Sequence, residues 1–189
     1  MRIIGGTFKG KKLFEAFDKN TRPLKDLVKE SIFNILEHSK DQKLNLKNST
    51  ILDLFSGTGS FGLECISRGT TKVYFFENYK NSLEILNKNI KKLKCTKNVN
   101  IINDSAYNFY KHNNLKNEKF DLIFLDPPFK EQNIYFIIKN IIDLKILQKN
   151  GIIILHRHKK TKDDLGKKIL IERSIKYGIS KIIFCKLVT

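Results

Sequence analysis

At 189 residues the chain is one domain, or a domain with a small appendage, and it leaves no room for a second large catalytic unit. Its 41% hydrophobic content can fill one core, which argues against general disorder, and its longest apolar runs, such as Ile152 to Leu155, fall far short of the roughly 20 residues a membrane span needs. A formal charge of +17, from 36 Lys plus Arg against 19 Asp plus Glu, makes a polyanion the natural partner, although 31 Lys beside 26 Ile and 18 Asn also carries the mark of A/T-rich codon supply.

Met1 to Phe14 carries Gly5, Gly6 and Gly10 among Arg2, Lys9, Lys11 and Lys12, with no acidic residue before Glu15, and reads as a small basic hairpin. A helix is expected after Pro23, running to about His38, with Leu24, Leu27, Val28, Ile32, Ile35 and Leu36 as its apolar stripe. Asp41 to Asn48 reads as polar linker. From Thr50 onward, runs of strand length alternate with amphipathic stretches. The expected strands are Thr50 to Phe55, Lys72 to Glu77, Val99 to Asn103, Phe120 to Leu125, Gly151 to Leu155, Lys168 to Lys176 and Ser180 to Leu187. Helices are expected at Ser60 to Arg68, Lys80 to Lys94, Ser105 to His112 and Glu131 to Leu144.

Such alternation implies an α/β fold with right-handed crossovers and a mostly parallel seven-stranded sheet. Only Tyr177-Gly178-Ile179 separates the last two strands, so they should form an antiparallel hairpin at one edge. The chain divides on this reading into a basic extension, residues 1–49, and a catalytic domain, residues 50–189.

No apolar leader precedes the first elements, so the protein is expected to be cytoplasmic. Cys65, Cys95 and Cys185 are too few and too scattered for a disulfide framework or a zinc site, so three reduced structural thiols and no metal are expected. No apolar element is left over for a partner copy, and a monomer is expected.

Gly57, Gly59 and Gly62, between the first strand and the next helix, match the dinucleotide pattern GxGxxG, and Glu77 ends the following strand. Asp53 argues against a dinucleotide, because it would set a carboxylate close to the pyrophosphate. It suits instead a cationic ligand bearing an amino group, such as the methionine portion of S-adenosylmethionine. Glu77 can then accept from the ribose hydroxyls and Asp104, at the end of the third strand, from the adenine amine. Gly57 and Gly59, lacking a Cβ, let the backbone approach that ligand closely, and Phe55, Asn78 and Ser105, beside these positions, complete the expected cofactor site.

Phe120 to Leu125 runs directly into Asp126-Pro127-Pro128-Phe129. Two prolines stiffen this loop and offer no N–H, so it presents oxygen acceptors. An exocyclic amine requires that, because its lone pair is delocalised into the base until its two hydrogens are held. Asp126 and the Pro127 carbonyl are assigned to those hydrogens and Phe129 to stacking on the base, with Pro128 as the second stiffening residue. A rigid strand-to-helix turn is the competing reading. A base within a duplex cannot reach such a pocket, so an unpaired or flipped nucleotide is expected.

These residues resemble the RsmD family of bacterial 16S ribosomal RNA guanine-N2 methyltransferases over nearly the whole chain. The resemblance rests on RIIGGTFKGKKL at 2 to 13, TRPLKDLVKESIFNIL at 21 to 36, LDLFSGTGSFGLE at 52 to 64 and DPPF at 126 to 129. It implies a class I methyltransferase fold with an added basic hairpin, S-adenosylmethionine as donor, and a guanine in small-subunit ribosomal RNA or a 30S particle as acceptor. It carries Arg2, Lys9, Lys11, Lys12, Arg22 and Lys29 over to RNA. Lys29 stands where the family usually has arginine, which keeps the charge but loses the bidentate fork. His156-Arg157-His158 stands where the family often has glutamate before histidine, and those residues are given no catalytic role. Two other readings remain at this point: methylation of an adenine amine in DNA or RNA, and a noncatalytic RNA-binding assembly factor. The basic hairpin and the lack of a recognisable DNA target-recognition domain weigh against DNA, and the filled catalytic positions weigh against a noncatalytic role.

Overall fold

Alternate residues of the central strands carry apolar side chains to opposite faces of the sheet, and both faces are buried. The computed structural model describes residues 1–16, 24–39 and 44–188. Its strands are β1 (Thr50–Leu54), β2 (Lys72–Phe76), β3 (Val99–Ile102), β4 (Phe120–Leu125), β5 (Leu147–His158), β6 (Ile169–Tyr177) and β7 (Ser180–Leu187). They form one seven-stranded sheet in the order β3-β2-β1-β4-β5-β7-β6, parallel except where β7 pairs with β5 and β6. The helices are α1 (Asp26–His38), α2 (Ser60–Ser67), α3 (Lys80–Leu93), α4 (Asn113–Lys116) and α5 (Ile134–Asp143). The expected helix at Ser105 to His112 is a 3-10 helix, Ala106–Lys111, and β5 is longer than expected at both ends.

Ile51, Val73, Phe75, Leu122 and Phe124 face α1, α2, α3 and the N-terminal segment, whereas Leu52, Leu54, Phe76, Ile123 and Leu125 face α5 and the 3-10 helix. Phe61 of α2 stacks on Phe124 with centroids 3.8 Å apart and on Phe33 of α1 at 5.2 Å, locking α1 and α2 onto β4. Gly62 lets α2 lie against β2, because a Cβ at that position would come within 2.4 Å of the Phe75 ring. Leu27, expected in the apolar stripe of α1, is instead 67% exposed, since the buried face of that helix is narrower than its periodicity suggests. The three cysteines are buried and free.

Residues 1–16 pack into the same core through Ile3 and Leu13, and Leu46 of the expected polar linker is buried there too. The hairpin closes through a single bridge, Arg2 to Lys12, rather than through regular strands. Polar side chains hold it down. Buried Glu64 of α2 accepts from the Ile4 and Gly5 N–H groups, each at 2.8 Å. The Phe8 N–H donates to Ser67 Oγ at 2.9 Å, and the Asn89 amide both accepts from the Phe14 N–H and donates to its carbonyl.

Lys29 corrects an expectation. It was assigned to RNA, yet its side chain is fully buried, donating to the Arg2 carbonyl at 2.7 Å and Ser60 Oγ at 3.1 Å, with Glu64 3.5 Å away. Burial lowers its pKa, against the opposing pull of Glu64. A cation so enclosed cannot reach a phosphate, and it serves to pin α1 and the hairpin to the start of α2.

Candidate active site

The sheet order reverses between β1 and β4, and open α/β sheets bind ligands outside the carboxyl ends of the strands at such a point. A crevice of about 510 Å³ lies there. Asp53 is registered opposite Phe124, so Asp126, two residues further on, comes to the same edge. Of the expected cofactor residues, Asp53, Phe55, Gly57, Glu77 and Asn78 line the crevice, and Asp126, Pro127, Pro128 and Phe129 line its other wall. The sequence pattern gave no sign that Leu24, Ser60, Phe61 and Lys130 would join them.

The glycine loop works through its backbone. Phe55 holds φ of +64°, an uncommon conformation for a bulky residue, while Gly57 and Gly59 hold +56° and +83° with no Cβ penalty. The carboxylate of Glu77 accepts from the Gly57 N–H at 2.7 Å and from the Asn78 and Tyr79 N–H groups, tying the loop to the end of β2. Gly59 precedes α2 as its N-cap and is not part of the crevice wall.

Asp53 is 1% exposed. Its Oδ2 accepts from the Gly62 N–H at 3.0 Å, whereas Oδ1 has no hydrogen-bond partner among the described residues. Burial, then the charges of Asp126 and Glu77, push its carboxyl well above the usual range despite the Gly62 N–H. An orphaned acceptor in an acidic crevice wants a cationic donor. The α-ammonium and sulfonium of S-adenosylmethionine supply positive charge, so these residues fit that group.

Asp104 and Ser105 stand apart. Neither lines the crevice; the Asp104 carboxylate accepts from Ser105 N–H at 2.6 Å and Asn108 Nδ2 at 2.9 Å and faces His112 Nε2 at 2.9 Å. Those bonds to Asn108 and His112 hold its pKa down. The side chain therefore organises the turn after β3, and the crevice walls do not bring it to the expected cofactor site.

The second wall is braced from β5. Asp126 Oδ1 is 2.9 Å from His156 Nδ1, and His156 Nε2 is 2.8 Å from Ser180 Oγ. Arg157, fully buried, donates to the Pro128 carbonyl at 3.1 Å and to the Glu131 carbonyl, while Nε bonds both oxygens of Asp163. Phe129 meets the His156 and His158 rings edge-on at 5.7 and 5.2 Å. Sequence reasoning gave these three β5 residues no role; the signal was a run of three cationic or titratable side chains where an otherwise apolar strand ends.

On the outer surface, Arg2, Lys9, Lys11 and Lys12 are exposed, with Lys11 over the Phe8 ring and Lys92 over the exposed Phe14 ring. Arg22 lies outside the described residues. Among the described residues no cluster of His, Cys, Asp or Glu could hold a metal ion, and no helix is long and apolar enough to cross a membrane.

The sheet order, the glycine loop and the crevice at the β1/β4 edge define a class I S-adenosylmethionine-dependent methyltransferase. Residues 1–186 match the family model described as Conserved hypothetical protein 95, and the chain belongs to that family, the RsmD family. A candidate rRNA methyltransferase of Bacillus subtilis, YlbH, is 30% identical over 98% of both chains. The ribosomal RNA small subunit methyltransferase D of Haemophilus influenzae is 40% identical across 68% of this chain and 64% of its own length. The crystal structure of a candidate methylase from the same species superimposes with a TM-score of 0.79 at 30% identity, covering 100% of this chain and 98% of that one.

Proposed function

We propose that the protein transfers a methyl group from S-adenosylmethionine to the exocyclic 2-amino group of a guanine in small-subunit ribosomal RNA. The observation that carries this reading is the joint lining of one crevice by Asp53, with its orphaned oxygen, and by the Asp126-Pro127-Pro128-Phe129 loop. The donor, when bound, supplies an electrophilic methyl on sulfur and leaves as a neutral thioether.

The chain's own residues do the rest by position. With the donor bound, Asp53 would hold its ammonium and Glu77 and Asn78 its ribose, and the backbone at Phe55 and Gly57 would lie against it. The Asp126 carboxylate and the Pro127 carbonyl hold the two amine hydrogens, which lets the nitrogen pyramidalise toward the methyl group, and once the N–C bond has formed one of those hydrogens leaves as a proton to solvent. Phe129 supports the face of the base. A carboxylate suits guanine better than adenine, because guanine's ring N–H and amine both donate on one edge. Asp104 and Ser105 act at the adenine end only if the turn after β3 shifts toward the crevice. Arg2, Lys9, Lys11 and Lys12 face outward on a platform that Glu64 and Asn89 fasten beside the crevice, which suits the RNA backbone. The acceptor belongs to the ribosome, so the reaction takes place in the cytoplasm.

Unmodified small ribosomal subunits and free small-subunit RNA, incubated with labelled S-adenosylmethionine and mapped by mass spectrometry, test the reading. N2-methylguanosine at a single position is expected. Label on adenine, or protein-dependent binding without incorporation, would replace it with one of the two alternatives.

A further inference from the structure

The proposal that Asp126 holds the amine leaves a physical question: what fixes a carboxylate whose terminal torsion has a broad, shallow preference. The described residues give a specific answer. Oδ1 of Asp126 meets Nδ1 of His156 at 2.9 Å, and on the far side of the imidazole Nε2 meets Ser180 Oγ at 2.8 Å. His156 is 1% exposed, while the Asp126 side chain keeps 12% exposure toward the crevice. The chain of contacts thus runs from the crevice wall through β5 to β7, across the antiparallel pairing that brings Ser180 beside the end of β5.

We propose that His156 is a positioning residue for methyl transfer, donating from Nδ1–H to one oxygen of Asp126 so that the other faces the amine, with Ser180 fixing that tautomer by donating to Nε2. The inference rests on the reading of Asp126 above. The chemistry selects the tautomer: an ionised carboxylate accepts only, so the facing ring nitrogen must carry the hydrogen. In a neutral ring the other nitrogen must then accept, and a serine hydroxyl is the donor placed there. The edge of Phe129 against the same ring aligns the stacking residue and the carboxylate on one support. Arg157, the next residue, holds the Pro128 and Glu131 carbonyls, so the loop backbone cannot follow if the carboxylate swings.

A histidine buried merely to satisfy its own polar atoms would affect folding and leave turnover per folded molecule intact. His156→Phe keeps the ring's bulk and removes the donor. It should lower kcat about 10- to 100-fold, the scale expected when a reacting group loses its alignment, with KM for S-adenosylmethionine unchanged. His156→Asn, which keeps an amide N–H near the Nδ1 position, should restore much of the loss. Asp126→Ala should abolish most turnover on its own, and adding His156→Phe to it should change nothing further.

Equal kcat in His156→Phe and the parent, or His156→Asn no better than His156→Phe, would overturn the inference alone. Full turnover in Asp126→Ala would overturn the reading of the loop and this inference with it. Nitrogen NMR of the imidazoles, assigned by comparison with His156→Asn, provides a readout that needs neither substrate nor a folded phenylalanine variant. A neutral Nδ1–H ring that shifts toward a tautomer mixture in Ser180→Ala is expected, and an Nε2–H ring in the parent would overturn the proposal.

Discussion

The two walls of the crevice are finished to different degrees. On the β1 side, Asp53 is sealed from solvent with one oxygen unmatched, Phe55 is held at positive φ, and the glycine backbone presents little side chain. On the β4 side the loop is tied at every turn, Asp126 by His156, Pro128 and Glu131 by Arg157, and Phe129 by two imidazole edges. The first wall carries a cost that a ligand can relieve, whereas the second is already organised before any ligand arrives. The difference follows from what each must hold. A charged cofactor can bring its own compensation for a buried carboxylate, but a neutral, weakly nucleophilic amine brings none and depends on geometry prepared in advance.

Breaking the braced wall should have the larger effect. Arg157→Ala removes a fully buried cation and leaves Asp163, itself 4% exposed, without it. A stability loss of about 3–5 kcal/mol is expected, read by denaturant titration, because an uncompensated buried charge costs more than the pair contributes.

The unfinished wall should respond in the opposite sense. Between the ordinary carboxylate range and the raised pKa of native Asp53, the unfolded chain has released a proton that the folded one retains, so stability falls as pH rises through that window. Above the native pKa the whole cost is present. Asp53→Asn should therefore raise the Tm of the ligand-free protein, by roughly 2–4 °C for each kcal/mol recovered. The same variant should weaken S-adenosylmethionine by about tenfold to a hundredfold in calorimetry, the value of one charge-assisted hydrogen bond. An unchanged affinity would return the carboxylate to a structural role.

The smallest effect in free energy concerns neither wall but the platform beside them. Charge reversal at Lys9, Lys11 and Lys12 should flatten the slope of log affinity against log salt for RNA by roughly 2 to 3. Lys29→Met should leave that slope alone, since its ammonium is enclosed between Arg2, Ser60 and Glu64.

The frame of the molecule was legible because it follows from period and punctuation. Leu122 to Leu125 and, apart from Asp53, Ile51 to Leu54 are buried apolar runs, as a sheet covered on both faces implies, and the three-residue gap after Lys176 marks the edge hairpin. The crevice was legible where backbone chemistry decides, at the glycine loop and the double proline. Polar residues whose partners lie far along the chain were not. Lys29 carries an expectation of RNA contact by resemblance and Glu64 carries none, and their pairing exists only where α1 and α2 meet; His156 likewise finds Asp126 30 residues away only once β5 has paired with β4. Asp104 differs in having near partners, Asn108 and His112, which hold it in the turn after β3.

The closeness of Gly62 to Phe75 bears on how such motifs are searched for. The last glycine of the triplet answers to the thickness of the layer between a helix and its strand, and no ligand need touch it. Proteins that hold quite different cofactors will share those letters whenever their first helix is pressed equally tight. A search that scored the acidic residue four places before the triplet would sort them better than one that counted glycines.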